Sequence, residues 1–222
     1  MDHQPRSRIR SKKNARDRLI RLAQTQADWA VGFEDEVWWS RVAQPRLRTW
    51  AEAHTPLRLQ EMERAKDDRD PKALACYGLL VRRPGQPTIP ERMLLRFVDG
   101  RPISAVTIDF LMWSCQALAC QHVRVLALIW DNASWHISQL VRTWIRMHNR
   151  QVKCQGQGVR ILVSYLPSKS PWLNPIEPKW MHGKRAIVEP ARVLPAAELA
   201  DRVCARFDCA HEPHLVAPEK VP

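Results

Sequence analysis

The sequence predicts an α/β fold: a mixed five-stranded sheet with helices on both faces. Three observations predict it. Two runs in the second half, VRVLALIW (123–130) and VRILVSYLP (159–167), are β-rich and apolar almost throughout, as in strands buried on both faces. Helix-like periodicity surrounds them, which is the pattern of crossover units and parallel strands. Ahead of them, three strand-like runs follow one another without a helix between, which makes that part antiparallel.

The elements follow in order. Residues 1–26 carry Arg6, Arg8, Arg10, Lys12, Lys13, Arg16, Arg18 and Arg21. This reads as a basic N-terminal arm or linker leading into a short helix, or equally as a solvated leader; no full helix-turn-helix fits in it. Residues 27–190 form the main domain. In WAVGFEDEVWWS, Val31 and Phe33 alternate with smaller neighbours, predicting a strand that ends at Glu34-Asp35-Glu36. RLRTWA (46–51) is compatible with a short strand, and residues 52–70 read as a charged loop. ALACYGLLVRR (73–83) is an apolar strand stopped by Pro84, Gly85, Pro87 and Pro90. RMLLRFV (92–98) is another, closed by Asp99-Gly100. Val106, Phe110, Trp113 and Leu118 then recur at helical intervals over 104–120. After the strand at 123–130, a helix over 137–152 places Leu140, Trp144, Ile145 and His148 on one side. After the strand at 159–167, the segment SKSPWLNPIEPKW has three prolines and leads into a helix over 177–187. Residues 191–222 hold a last helix (195–207) and a Pro-rich tail.

The bulk numbers bound the function. With 222 residues and 45% hydrophobic content, one large core is available. No apolar run reaches membrane-spanning length and no stretch reads as a signal peptide, so the expectation is a soluble, cytoplasmic protein with no membrane partner. A net charge of +12 favours a polyanionic partner, most commonly nucleic acid. An acidic protein surface or an anionic membrane attracts the same charge. Six cysteines without a secretion signal argue against a disulfide framework. Several of the ten tryptophans, among them Trp38, Trp39 and Trp180, lie beside charged residues.

Three carboxylates occupy equivalent places: Asp35 at the end of the first strand, Asp131 at the end of the fourth, and Glu177 at a helix start just after the fifth. If the first and fourth strands are neighbours, their tips bring Asp35 and Asp131 together, and the helix start delivers Glu177. Three carboxylates that close do not all stay ionised without a cation. Hard oxygen ligands select Mg²⁺ or Mn²⁺, and two such ions activate water and stabilise the leaving oxygen of a phosphodiester. Singly, each acid has an ordinary alternative: a loop entry, an Asp-Asn turn, or a helix N-terminal acid complementing the dipole.

FEDEVWWS, IWDNASWH and SPWLNPIEPKW resemble the three signature blocks of DDE transposases, nearest to the mariner-like transposases of bacterial insertion sequences, whose domain is also described as the DDE superfamily endonuclease domain. CYGLLVRR and RFVDGRPISAVTIDFL add to the likeness, which covers residues 29–209. The resemblance implies an RNase H-like fold, with Asp35, Asp131 and Glu177 as catalytic and metal-ligating acids. Glu36 is the alternative to Asp35, but the family's Asp-Glu pair uses its aspartate. It also implies two Mg²⁺ or Mn²⁺ ions, DNA (transposon ends and target) as partner, no small-molecule substrate, and a homodimer or higher oligomer. The reaction implied is metal-dependent cleavage at transposon ends, then strand transfer by the freed 3′-OH. The Asp131-to-Glu177 separation is longer than is usual for mariner-like elements, and KCQGQG (153–158) reads as an inserted loop. Family members also carry N-terminal helix-turn-helix domains, which these residues lack, so a truncated or inactive DNA-binding remnant is the alternative.

Supporting positions carry paired readings. Asn132 orients Asp131 or bonds a metal-bound water, or it stabilises a turn. His136 approaches the site or a phosphate, or it is a surface histidine at a helix start. Trp135 and Trp172 stack on bases or serve as core or lid. Lys169, Trp172, Lys179, Lys184 and Arg185 surround Glu177 and are candidate DNA contacts; solvated basic positions are the alternative. Asn174 turns the backbone between Leu173 and Pro175. Cys204, Cys209, His211 and His214 raise a zinc reading, but their spacing is compressed, and a helix end with buried thiols is the better expectation.

Overall fold

The computed structural model describes residues 6–42, 65–168, 170–187 and 192–217. The possible strand at 46–51 and most of the 52–70 loop lie outside them.

The sheet order is β5-β4-β1-β2-β3-β6. It is built from β1 (Trp29–Ser40), β2 (Ala73–Arg82), β3 (Arg92–Asp99), β4 (Val125–Trp130), β5 (Arg160–Tyr165) and β6 (Leu215–Val216). β1, β2 and β3 pair antiparallel; β4 pairs parallel with both β1 and β5. This is the predicted mixed sheet with one strand more. β6 has only two residues, paired with Val98 and Asp99, too short for a period to register in the sequence.

Helices cover both faces. α1 (Arg6–Gln24), α4 (Ile176–Ile187) and α5 (Ala196–Arg206) pack on one face; α2 (Ser104–Ala119) and α3 (Gln139–Gln155) pack on the other. Each face has its own core. Phe33, Trp39, Ile176, Trp180, Leu199 and Val203 belong to the first; Tyr77, Phe110, Leu126, Leu128, Trp130 and Val141 belong to the second. β4 is buried at every residue, as its unbroken apolar run requires.

Three expectations are corrected. The N-terminal segment is a 19-residue helix instead of an arm ending in a short one. Its Leu19, Ile20 and Ala23 join the first core, so tertiary burial fixes what its charge disguises. β1 continues through Glu34-Asp35-Glu36 to Ser40 instead of stopping there. In the third helix, Ser138 accepts the Val141 N–H as N-cap, and the helix runs on to Gln155 before Gly156 closes it at φ 67°. Residues 153–155, predicted as loop, are therefore helical. The side chain of Asn149 meets both backbone groups of Ile161 and fastens this helix to β5.

Candidate functional site

The register of β1 against β4 builds the site. Phe33 pairs with Ile129, and β4 ends one residue later, at Trp130. β1 runs on alone on that side, so Asp35 stands level with Asp131 just beyond the tip of β4. Asp35 is thus a mid-strand residue that the end of its neighbour exposes. Residues of a strand alternate in face. Asp35 shares the face of Phe33, toward α1 and α4, while Glu34 and Glu36 point to the opposite face.

Asp35, Asp131 and Glu177 line one cleft of about 290 Å³, together with Asn132, Ala133, Asn174 and the segment from Leu166 to Pro171, Lys169 excepted as undescribed. Glu177 sits in the first turn of α4. Three contacts hold this frame. Trp180, one turn after Glu177, donates its indole Nε1–H to Asp35 Oδ2 at 3.0 Å. Asn174, buried at 3% exposure, donates to the main-chain carbonyl of Glu34 at 3.2 Å. Gly78, paired with Asp35 across β1 and β2, leaves room for Trp180: a Cβ there would stand 2.3 Å from the indole.

Behind Asp131 lies a second, buried set of charges. His136 is fully buried and stacks on Trp130 with ring centroids 4.4 Å apart. Its Nδ1 meets Asp131 Oδ1 at 2.8 Å and its Nε2 meets Glu36 Oε1 at 3.0 Å. Glu34 Oε2 is also 3.0 Å from Nε2. That contact is close but poorly aligned, and among the described residues neither Glu34 carboxylate oxygen has a hydrogen-bond partner. Both ring nitrogens therefore face carboxylates, which makes this an imidazolium. Burial alone would push His136 down, but the close Glu34 charge and the bonds to Asp131 and Glu36 outweigh it and lift it to about 12. Burial and the neighbouring Glu36 push Glu34 up. Trp135 donates to Glu36 at 2.6 Å and is held there. Of the paired readings, then, His136 is a buried part of the site and Trp135 a clamp on Glu36.

The cleft carboxylates behave differently from one another. Burial, then the charges of Glu177, Glu34 and Glu36, push Asp35 from its ordinary 3.8 to about 8. Burial and Asp131 push Glu177 up, against the pull of Lys184. Burial also acts upward on Asp131, but the His136 bond and the Ala133 N–H at 2.8 Å hold it below the usual range. Two raised carboxylates beside an ionised third are short of positive charge, which a cation supplies. The oxygen donors suit Mg²⁺ or Mn²⁺. The three do not converge on one point: among the described residues only Glu34, Glu36 and His136 bring ligand atoms all within 4.8 Å of one another. That tighter group already holds the imidazolium in the place of a cation, so the open cleft is the better metal site.

The remaining predicted residues divide. Asn132 accepts from Lys12 at 2.7 Å and donates to the Leu166 carbonyl at 2.7 Å, so it ties the β4 tip to the next loop. Asn174 is a tether to β1 as well as a turn residue. Trp172 is 75% exposed at the cleft rim, in the 3₁₀ turn Pro171–Leu173. Lys184 and Arg185 are exposed on α4. Lys179 is engaged instead with Glu91 at 2.5 Å. Lys169 lies outside the described residues. Sequence reasoning missed Glu34, Trp180, Gly78, Lys12 and Arg16. The last donates to the Leu173 carbonyl at 2.9 Å, and its only signal was the basic spacing of the N-terminal segment.

Residues 95–199 match the family model described as DDE superfamily endonuclease. This segment is similar to the DDE superfamily endonucleases. The match holds Asp131 and Glu177 and begins after Asp35. No curated protein matches the sequence. Among solved structures, the Mos1 transposase paired-end complex with left transposon end superposes at TM-score 0.58 and 17% identity, over 94% of this chain and 57% of that one. The catalytic domain of Mos1 mariner transposase superposes at 0.53 and 14%, over 94% and 85%. The Mos1 catalytic domain with Raltegravir and Mn superposes at 0.51 and 14%, over 95% and 86%. The chain thus spans 57% of the length of the Mos1 chain in the paired-end complex, and its RNase H-like fold is the one it shares with the Mos1 catalytic domain.

Proposed function

We propose that this DDE domain is the catalytic part of a transposase that cleaves DNA at transposon ends and transfers the freed 3′-OH to a target strand. The observation that carries the reading is the cleft itself: three carboxylates from three separate elements, in a chain of net charge +12. Asp35, Asp131 and Glu177 would hold two Mg²⁺ or Mn²⁺ ions, spread along the cleft as their separation suggests. Bound there, the ions would supply activation of a water and stabilisation of the leaving oxygen in an in-line displacement.

The chain's own residues position and hold. Trp180 and the Ala133 N–H each fix one carboxylate, so two acids are oriented before any ligand arrives. His136 aims Asp131 into the cleft and keeps two acids of the far face neutralised. Lys184 and Arg185 offer phosphate contacts, and Trp172 offers a face for an unstacked base. A dimer or larger assembly on paired DNA ends belongs to the same reading. Among the described residues no helix is long and apolar enough to cross a membrane.

The test is nicking of supercoiled plasmid in Mg²⁺ or Mn²⁺, wild type beside Asp131→Asn and Glu177→Gln, with DNA binding measured on the same samples. Nicking by the wild type alone is the expected result. Folded wild type that binds DNA and never nicks would leave an inert DNA-binding remnant instead.

A further inference from the structure

The C-terminal histidines form a second constellation, on the far side of the sheet order from the acidic cleft. α5 ends at Arg206, and the chain then crosses to β6 through His211-Glu212-Pro213-His214. His211 Nδ1 bonds Asp201 of α5 at 2.6 Å. His214 Nδ1 bonds Asp99, the last residue of β3, at 2.6 Å. The two Nε2 atoms face each other at 3.5 Å. Phe97 lies under both rings, with centroids at 5.8 and 5.5 Å. Arg96 donates to the Pro213 carbonyl at 2.9 Å and fixes the connecting turn.

This arrangement is unlike two independent surface ion pairs. Each carboxylate takes the Nδ1 hydrogen, which leaves the Nε2 lone pair as the imidazole's other face. Two lone pairs pointed at each other repel, and so do two imidazoliums. A single proton shared as an N–H···N bond, or a cation bound by both lone pairs, satisfies both rings. A carboxylate behind each imidazole is also the usual support for a metal-ligating histidine, because it fixes the tautomer and raises the basicity of the other nitrogen. Two zinc–nitrogen bonds of about 2.0–2.1 Å at a tetrahedral angle put their nitrogens about 3.4 Å apart. The observed 3.5 Å matches that edge without rearrangement.

We propose that His211 and His214 bind a zinc-like divalent cation, with water completing the tetrahedron, and that the ion clips the C-terminal strand to α5 and β3. Imidazole donors favour zinc and its neighbours over Mg²⁺, so the site is chemically distinct from the acidic cleft. The two nearby thiols take no part. Burial pushes Cys204 and Cys209 up to about 11 and 12, and the Cys209 thiol donates to the Met93 carbonyl. The proposed site thus uses the histidines of the Cys204–His214 cluster and not its cysteines.

The full chain, stripped with a chelator, is titrated calorimetrically with Zn²⁺, and hydrogen exchange at Leu215 and Val216 is followed with and without the metal. Wild type and the Asp35→Asn/Asp131→Asn/Glu177→Gln variant are expected to share one zinc equivalent that His211→Asn/His214→Asn lacks. Asp99→Asn/Asp201→Asn should weaken it about 10- to 100-fold. Zinc should slow exchange at Leu215 and Val216 in the wild type only. The substituted side chains are at least a quarter exposed, and circular dichroism verifies their folding. Equal uptake by wild type and the histidine variant, or uptake lost only with the cleft acids, would overturn the proposal. So would a folded wild type that takes up no zinc.

Discussion

Replacing Asp35 with asparagine should stabilise the metal-free protein at alkaline pH. Asp35 is lifted from 3.8 to about 8 by burial and by Glu177, Glu34 and Glu36. Its folded-state value is above its unfolded one, so the folded chain keeps a proton that the unfolded chain releases. Stability then falls as pH rises from about 4, and the loss is complete above about 8. Each tenfold difference in proton affinity between the two states is worth about 1.36 kcal/mol, so the rise at Asp35 sets a ceiling of about 5–6 kcal/mol. Relaxation and water entry reduce this to about 2–4 kcal/mol. Asparagine keeps the shape and an acceptor for the Trp180 N–H, 3.0 Å away, but has no charge to bury. The assay is guanidinium unfolding of chelator-treated wild type and Asp35→Asn at pH 5 and pH 8.5. Part of the loss precedes pH 5, so the wild type should lose about 1–2 kcal/mol more than the variant between the two. Mg²⁺ or Mn²⁺ should restore stability to the wild type and do little for the variant. Parallel declines in both proteins would refute the reasoning, because the alkaline loss would then arise elsewhere.

Other expectations follow from the same frame. His136→Ala leaves Glu34 and Glu36 buried without their cation and should cost about 3–5 kcal/mol at neutral pH, read by chemical denaturation, with a smaller cost at pH 5 as Glu34 takes up a proton. Gly78→Val drives a side chain into Trp180 and should cost about 1–3 kcal/mol or more, with weakened Mn²⁺ binding as the Asp35 bond is lost. Trp172→Ala should leave the melting temperature unchanged, given its exposure, and weaken single-stranded DNA binding by about 1–3 kcal/mol in a fluorescence titration.

The legible part of this molecule is the part written in local pattern. The run VLALIW is buried on both faces and ends before Asp131, so strand, burial and tip are read from six residues. The three acids were found because each sits beside an apolar run or a proline-rich break. What stayed hidden depends on partners distant in sequence. Glu34-Asp35-Glu36 reads as the end of a strand because charges are costly inside one. The strand continues because His136 neutralises one side and Trp180 bonds the other, 100 and more residues away. Lys12 and Arg16 look like solvated charge until Asn132 and the Leu173 carbonyl receive them. His136 is indistinguishable in sequence from a surface histidine at a helix start, since its burial comes from Trp130 and the reverse face of β1. β6 has no period at all; its pairing with β3 is purely tertiary.

The central claim is that Asp35, Asp131 and Glu177 form a divalent-metal centre, and counting bound Mn²⁺ tests it most directly. Free Mn²⁺ is followed by electron paramagnetic resonance as it is added to the wild type, to Asp131→Asn and to the Asp35→Asn/Asp131→Asn/Glu177→Gln variant. The wild type should take up two ions, Asp131→Asn fewer and more weakly, and the triple variant none in the same concentration range. Uptake by the triple variant equal to that of the wild type would contradict the account.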